Sequence, residues 1–150
     1  MTEHEVYRGG CFCSATRYKV YGPPAMVAYC HCDDCRKSSG SVVSVLAGFK
    51  RDGFELINGN PTYFEATPAV KRSFCKTCGA SLFYENQNFL ENIYIHIGSF
   101  DNPDQLPPDR HTWVSRRISW HEIKDNLRQY DQLSNDGLAG NTPSYEKPAG

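Results

Sequence analysis

The seven cysteines of this chain are the residues whose types and spacing most narrow its chemistry. They form three short groups: Cys11-x-Cys13, Cys30-x-Cys32-x-x-Cys35 and Cys75-x-x-Cys78. Such short spacings place sulfur atoms close enough together to bind one metal ion. Four thiolates complete a tetrahedral zinc site, whereas three thiolates leave one coordination position for another ligand. The count therefore predicts two zinc ions per chain, one structural and one reactive and exchangeable.

A disulfide framework is the main alternative reading of clustered cysteines. An odd count would leave one thiol unpaired, and the polar residues after Met1 do not form a secretory signal. Neighbours in a Cys-x-Cys pair also satisfy the torsion of a disulfide poorly. We therefore expect metal-bound thiolates in a cytoplasmic protein. Iron–sulfur ligation is a weaker alternative, because such clusters usually take four cysteines at their own spacings.

The segment Cys75-Lys76-Thr77-Cys78-Gly79 has the form of a zinc knuckle at the end of a predicted strand over residues 71–74. Gly79 can supply the positive φ that such a turn often needs. A knuckle gives two ligands, and the Cys11/Cys13 pair beside Gly9-Gly10 is the expected second half. A zinc shared by both pairs would contribute to folding, because the unfolded chain cannot present the site. The alternative is that these cysteines are free buried thiols.

The three cysteines Cys30, Cys32 and Cys35 lie within six residues and can bind a metal without help from elsewhere. A zinc ion with an open position there would lower the pKa of an incoming thiol or polarise a carbonyl. The alternative is a closed site whose fourth ligand is a histidine. The candidates are His31, His96 and His111. Strand alternation would turn the His31 side chain away from the sulfurs.

Several polar residues near this loop are weaker candidates for ligand binding. Arg36 and Lys37 could attract an anionic substrate, although a basic pair beside a loop is most often solvated. The turn at 38–41 could offer hydroxyl and N–H groups to a ligand, although a turn needs no function. His111 could move a proton near neutral pH, and its alternative role is that of a hydrogen-bonded structural histidine.

The elements that must position these groups read as short antiparallel strands. Residues 17–21, 41–49, 62–65, 81–85 and 92–97 alternate apolar and polar side chains, and Gly, Pro and Asn clusters separate them. A late strand is expected from His111 through Trp113 toward Trp120. Helix is minimal, with one or two turns expected after Cys35 and over residues 123–127. The pattern predicts an antiparallel all-β single domain.

The composition sets further expectations. Residues 1–133 form the predicted domain, and residues 134–150, rich in Asn, Gly, Pro and Ser, form an expected flexible C-terminal tail. A net charge of −1 provides no basic footprint for nucleic acid. No segment approaches the roughly 18 apolar residues that span a bilayer, so we expect no membrane partner.

The ordered motifs resemble those of the glutathione-dependent formaldehyde-activating family, which includes eukaryotic centromere protein V. The resemblance covers about residues 6–121, and all seven cysteines match in order and spacing. It also includes Arg72-Ser73-Phe74 before Cys75, Gly98-Ser99-Phe100-Asp101 and Pro108-x-x-His111-x-Trp113. A single Cys-x-x-Cys would not be specific, whereas the complete ordered set is.

The resemblance implies an all-β, zinc-stapled, antiparallel β-sandwich-like fold. It implies a structural zinc on Cys11, Cys13, Cys75 and Cys78, and a catalytic zinc on Cys30, Cys32 and Cys35. It implies a carbon–sulfur lyase that joins a small thiol, such as glutathione, to a small aldehyde, such as formaldehyde. Arg36, Lys37 and Arg110 are the candidates for the two carboxylates of glutathione. The alternative function is a non-catalytic zinc-binding module that mediates protein interaction.

Overall fold

The computed structural model describes residues 5–133, and the predicted tail lies outside this range. The described chain is built mainly from short strands, as the alternating segments predicted. In chain order, the elements are β1 (Val6–Gly10), β2 (Arg17–Tyr21), β3 (Met26–Cys30), α1 (Asp33–Ser39), β4 (Ser44–Lys50), β5 (Phe54–Asn58), β6 (Thr62–Thr67), β7 (Val70–Phe74), β8 (Ser81–Asn86), β9 (Asn92–His96), β10 (Arg110–Thr112) and β11 (Arg128–Gln129).

The strands form two sheets, which confirms the predicted all-β class with minimal helix. The smaller sheet has the order β1-β2-β5, and the larger has the order β11-β10-β3-β4-β9-β8-β7-β6. All pairings are antiparallel except those of β10, which runs parallel to both β3 and β11. The parallel pairs were not predicted. They are possible because long connections, rather than tight hairpins, precede β10 and β11.

The main core joins the two sheets, and aromatic rings provide much of its volume. Tyr18 of β2 is fully buried, and its ring centroid lies 5.3 Å from that of Phe83 in β8. The ring centroid of Phe54 in β5 lies 5.0 Å from that of Phe83, and the ring centroids of Phe49 in β4 and Tyr7 in β1 lie 5.6 Å apart. Each such ring stabilises the fold by about 1.5–3 kcal/mol when fully buried. The core therefore holds the sandwich together.

The opposite face of the larger sheet carries a second, smaller apolar cluster. Strand alternation creates it: Ile93 and Ile95 point into the main core, whereas Tyr94 between them packs in the second cluster. The same alternation along β3 places Ala28 and Cys30 in the second cluster. This face therefore supports the three-cysteine segment.

Two expectations near the C-terminus are wrong. The late strand ends at Thr112, because Trp113 adopts a left-handed conformation with φ 57° and a 3-10 turn follows. Residues 123–127 form no helix, since the carboxylate of Asp125 accepts a hydrogen bond from the Leu127 N–H at 3.0 Å. Such a local side-chain bond competes with helical backbone bonding.

The helix expected after Cys35 is present, but it begins two residues earlier, at Asp33. In the described part of the chain, no helix has the length and apolar character needed to cross a membrane.

Candidate metal centres

The first cysteine cluster joins two distant turns of the fold. Cys11 and Cys13 lie between β1 and β2, whereas Cys75 and Cys78 lie between β7 and β8. All four sulfur atoms lie within 4.8 Å of one another. The Cys13 Sγ lies 3.6 Å from that of Cys11 and 3.8 Å from that of Cys75. The structure thus brings together the four residues that the spacing paired, in a set that could hold one metal ion.

Backbone N–H groups point at these sulfurs and favour their thiolate forms. Thr16 donates to Cys11 Sγ at 3.3 Å, and Cys78 donates to Cys75 Sγ at 3.5 Å. The pKa of Cys75 falls to about 6, mainly because of the backbone hydrogen bond from Cys78. Gly79 adopts φ 77°, the conformation that the knuckle predicted for it. The turn is therefore built to present thiolates.

The second cluster contains Cys30, Cys32 and Cys35, whose sulfur atoms also lie within 4.8 Å of one another. Cys30 ends β3, Cys32 caps α1, and Cys35 lies within the helix. The Cys32 sulfur accepts a hydrogen bond from the Cys35 N–H at 3.2 Å, so a cysteine replaces the usual Ser or Asp cap. The helix start thus fixes the spacing between these two sulfurs.

The three sulfurs of this cluster ionise unequally. The pKa of Cys35 lies well below its usual value, because Cys30 and Cys32 hydrogen-bond to its thiolate and the positive charge of Arg72 lies beside it. The pKa of Cys30 is correspondingly raised by the neighbouring cysteines and by burial. The charge of Arg72 therefore favours the thiolate form of Cys35.

No histidine or carboxylate within residues 5–133 joins the three-cysteine cluster. His31 points to the other side of β3, where its Nε2 lies 2.9 Å from Nδ1 of His111. The Nε2 of His111 in turn lies 2.9 Å from a carboxylate oxygen of Asp125. His31 and His111 thus bind each other rather than the sulfurs, in a chain that reaches the C-terminal segment. His96, at the end of β9, also stays outside the sulfur cluster.

The polar candidates around α1 have partners within the protein. Arg36 lies 3.7 Å from Asp33, and Arg110 lies 2.9 Å from Asp109. The predicted hydroxyl-rich turn serves the helix instead, because Ser38 and Ser39 both donate to the Cys35 carbonyl, at 3.3 and 2.7 Å. For Lys37 no contact decides a role. The basic residues expected to meet glutathione are thus mostly engaged by carboxylates of this chain.

Arg72 belongs to the motifs of the resemblance, but its contact with the three-cysteine cluster was not predicted. It lies on β7, is 7% exposed, and its guanidinium nitrogens lie 3.7 and 3.9 Å from the Cys35 sulfur. A signal was present, because alternation along the predicted strand puts Arg72 on the same face as Phe74. The Asp125 end of the histidine chain was also missed, since its segment was assigned to helix.

The fold and these centres define a β-sandwich-like protein with one four-cysteine and one three-cysteine cluster, each of which could hold a metal ion. The family model described as "Glutathione-dependent formaldehyde-activating enzyme" matches residues 6–116. The chain belongs to this family, as its motifs indicated.

The individual relatives described below have low sequence identity to this chain. A putative glutathione-dependent formaldehyde-activating enzyme of Halomonas elongata is 25% identical over 125 residues, which cover 77% of this chain and 80% of that protein. An uncharacterised lyase of Schizosaccharomyces pombe is 24% identical, covering 83% of this chain and 90% of the lyase. A crystal structure of a Rhodobacter sphaeroides protein superposes with a TM-score of 0.53 at 18% identity, covering 82% and 98% of the two chains. That likeness concerns the fold alone.

Proposed function

We propose that this chain is a zinc-dependent carbon–sulfur lyase that binds a small thiol, such as glutathione, for addition to or release from a small aldehyde, such as formaldehyde. The observation that carries the proposal is the convergence of three sulfurs, from Cys30, Cys32 and Cys35, which no histidine or carboxylate of residues 5–133 joins. Family membership and the relatives named as enzyme or lyase support the same chemistry.

The donor set fits zinc. Thiolates at these distances suit a soft, tetrahedral ion, and the cap N–H that points at Cys32 favours its anionic form. When bound, zinc would supply a Lewis acid with a fourth position that lowers the pKa of a thiol. The four-cysteine cluster would hold a second, structural zinc, because all four coordination positions are then provided by the chain.

The side chains around the three cysteines would shelter the reacting groups. Cys30, Cys32 and Cys35 would hold the metal beside the apolar side chains of Leu46 and Tyr94, which pack in the same cluster and would limit the access of water. In the addition, the thiol sulfur forms a bond to the carbonyl carbon, the C=O π bond breaks, and the thiol proton ends on the oxygen. No electron carrier is needed, because oxidation states balance within the adduct.

The proposal is tested by following the exchange between formaldehyde, glutathione and their adduct by NMR, with the rate in buffer subtracted. Zinc-loaded wild-type protein should accelerate the exchange, and Cys32→Ser should remove the acceleration while retaining the four-cysteine zinc. Serine keeps a helix-capping oxygen, so the fold around α1 should persist. If the wild-type protein and Cys32→Ser both leave the buffer rate unchanged, and calorimetry detects no thiol binding, the chain is a binding module instead.

A further inference from the structure

Arg72 is a buried cation that no carboxylate within residues 5–133 neutralises. Its hydrogen-bond partners are the Cys35 sulfur and the Ser38 hydroxyl, the latter at 3.1 Å. Its guanidinium carbon also lies 4.9 Å from the centre of the Tyr84 ring. A buried charge is costly unless an opposite charge lies nearby. The thiolates of the three-cysteine cluster are the negative charges within its reach.

Arg72 changes the net charge at the three-cysteine cluster. Three thiolates and one Zn²⁺ carry a net charge of −1, and a fourth thiolate would make the net charge −2. Arg72 returns that total to −1. Without Arg72, a neutral fourth ligand would be favoured over an anionic one, since the surroundings are buried and apolar.

We propose that Arg72 is the counter-charge of the Cys30/Cys32/Cys35 centre and that it selects a thiolate, rather than a neutral molecule, as the fourth ligand. This inference rests on the proposed function and deepens it, because it assigns the ligand preference of the site to one side chain. Arg72 is a positioning residue in this scheme, since it acts through Cys35.

A second observation supports a role toward a ligand. The Nε atom of Arg72 is buried and has no hydrogen-bond partner among the described residues. A buried N–H without a partner costs free energy, which an acceptor atom of a bound ligand would offset. Tyr84 and Ser38 hold the guanidinium plane in place, so that this donor is fixed in direction.

The test compares two fourth ligands by calorimetry on zinc-loaded protein, with zinc content measured before and after. 2-Mercaptoethanol provides a thiol without carboxylates, and imidazole provides a neutral ligand. Arg72→Gln should weaken mercaptoethanol binding by about ten- to a hundredfold, the effect of removing an opposite charge at close range, and should leave imidazole binding within about threefold. Lys71→Gln is the matched control, because Lys71 precedes Arg72 on β7 and lies over the Tyr63 ring instead.

Two further variants keep the test decisive if Arg72→Gln does not fold. Arg72→Lys retains the charge and should preserve the preference for mercaptoethanol over imidazole. Ser38→Ala removes the hydroxyl that orients the guanidinium and should weaken thiol binding several-fold. Equal losses for both ligands in Ser38→Ala, a lost preference for mercaptoethanol in Arg72→Lys, or an unchanged preference in Arg72→Gln would overturn the inference and leave the proposed function standing. Failure of wild-type protein to bind either ligand would overturn both.

Discussion

The two cysteine clusters should contribute unequally to stability, because they close chain loops of very different length. Cys13 and Cys75 are 62 residues apart and have adjacent sulfurs, whereas Cys30 and Cys35 are about five residues apart. In the chain-entropy treatment of cross-links, closing the longer loop stabilises the fold by about 4 kcal/mol and closing the shorter by about 2 kcal/mol. The difference, about 2 kcal/mol, is large against a total stability of roughly 5–15 kcal/mol.

Cys78→Ser and Cys32→Ser isolate this difference, because both cysteines are partly exposed and serine introduces little buried polar surface. In zinc-loaded protein, Cys78→Ser should lower the free energy of unfolding by about 4 kcal/mol and Cys32→Ser by about 2 kcal/mol or less. The gap corresponds to roughly 4–8 °C in melting temperature for a chain of this size. Urea denaturation under reducing conditions, with zinc counted in each variant, measures it.

A chelator provides the control. Once metal is removed, wild-type protein and Cys78→Ser should have the same stability to within about 0.5 kcal/mol, as surface substitutions usually do. Equal destabilisation by Cys78→Ser and Cys32→Ser in the zinc-loaded state would refute the reasoning, since it would show that the four-cysteine site does not act as a long-range cross-link.

Three further predictions concern residues outside the cysteine clusters. Burial, with the charge of Arg72, lowers the pKa of His96 to about 4 from 6.5; stability is therefore complete above pH 6.5 and lost as pH falls toward 4, by up to about 3 kcal/mol. His96→Gln should flatten that acid slope in urea titrations, and an unchanged slope would contradict the assignment. Gly9→Ala should destabilise by about 3 kcal/mol or more, because an added Cβ would lie 2.3 Å from the Tyr18 hydroxyl and 2.4 Å from the Ser99 carbonyl oxygen. Gly98→Ala, where nothing lies within 4 Å, should melt close to wild type, and similar melting of both variants would refute the clash. Asp125→Asn should cost about 1 kcal/mol by weakening the bond to His111. It should also speed hydrogen exchange at the Tyr130 N–H, which donates to the His111 carbonyl. Unchanged hydrogen exchange at this N–H would contradict the idea that the Asp125–His111 bond holds the C-terminal segment in place.

The division of the seven cysteines into a set of four and a set of three could be predicted from the sequence, because cysteines that bind one metal ion often lie one or two residues apart. The strands β2, β4, β6, β8 and β9 could be predicted because apolar side chains alternate with more polar ones along their sequences. Strand β3 is buried along most of its length and lacks that alternation, so it was missed. The end of β10 depended on the left-handed conformation of Trp113, which nothing in the local sequence required.

The sequence did not predict which residues that are far apart in the chain contact each other. Arg72 and Cys35 are 37 residues apart, and His31 and His111 are 80 residues apart. None of the three candidate histidines joins the three-cysteine cluster within residues 5–133. His31 instead meets His111, because β10 pairs in parallel with β3, and nothing in the sequence indicates that pairing.

Strand β7 touches both metal-binding clusters. Arg72 contacts Cys35 of one cluster, and three residues later the strand leads into Cys75 of the other. Arg72 and the knuckle therefore share one short stretch of backbone. Filling the four-cysteine cluster should raise ligand affinity at the three-cysteine cluster, and thermodynamic linkage requires the reverse effect to be equal. The two centres would then behave as one cooperative unit, in which the structural ion also sets the affinity of the reactive one.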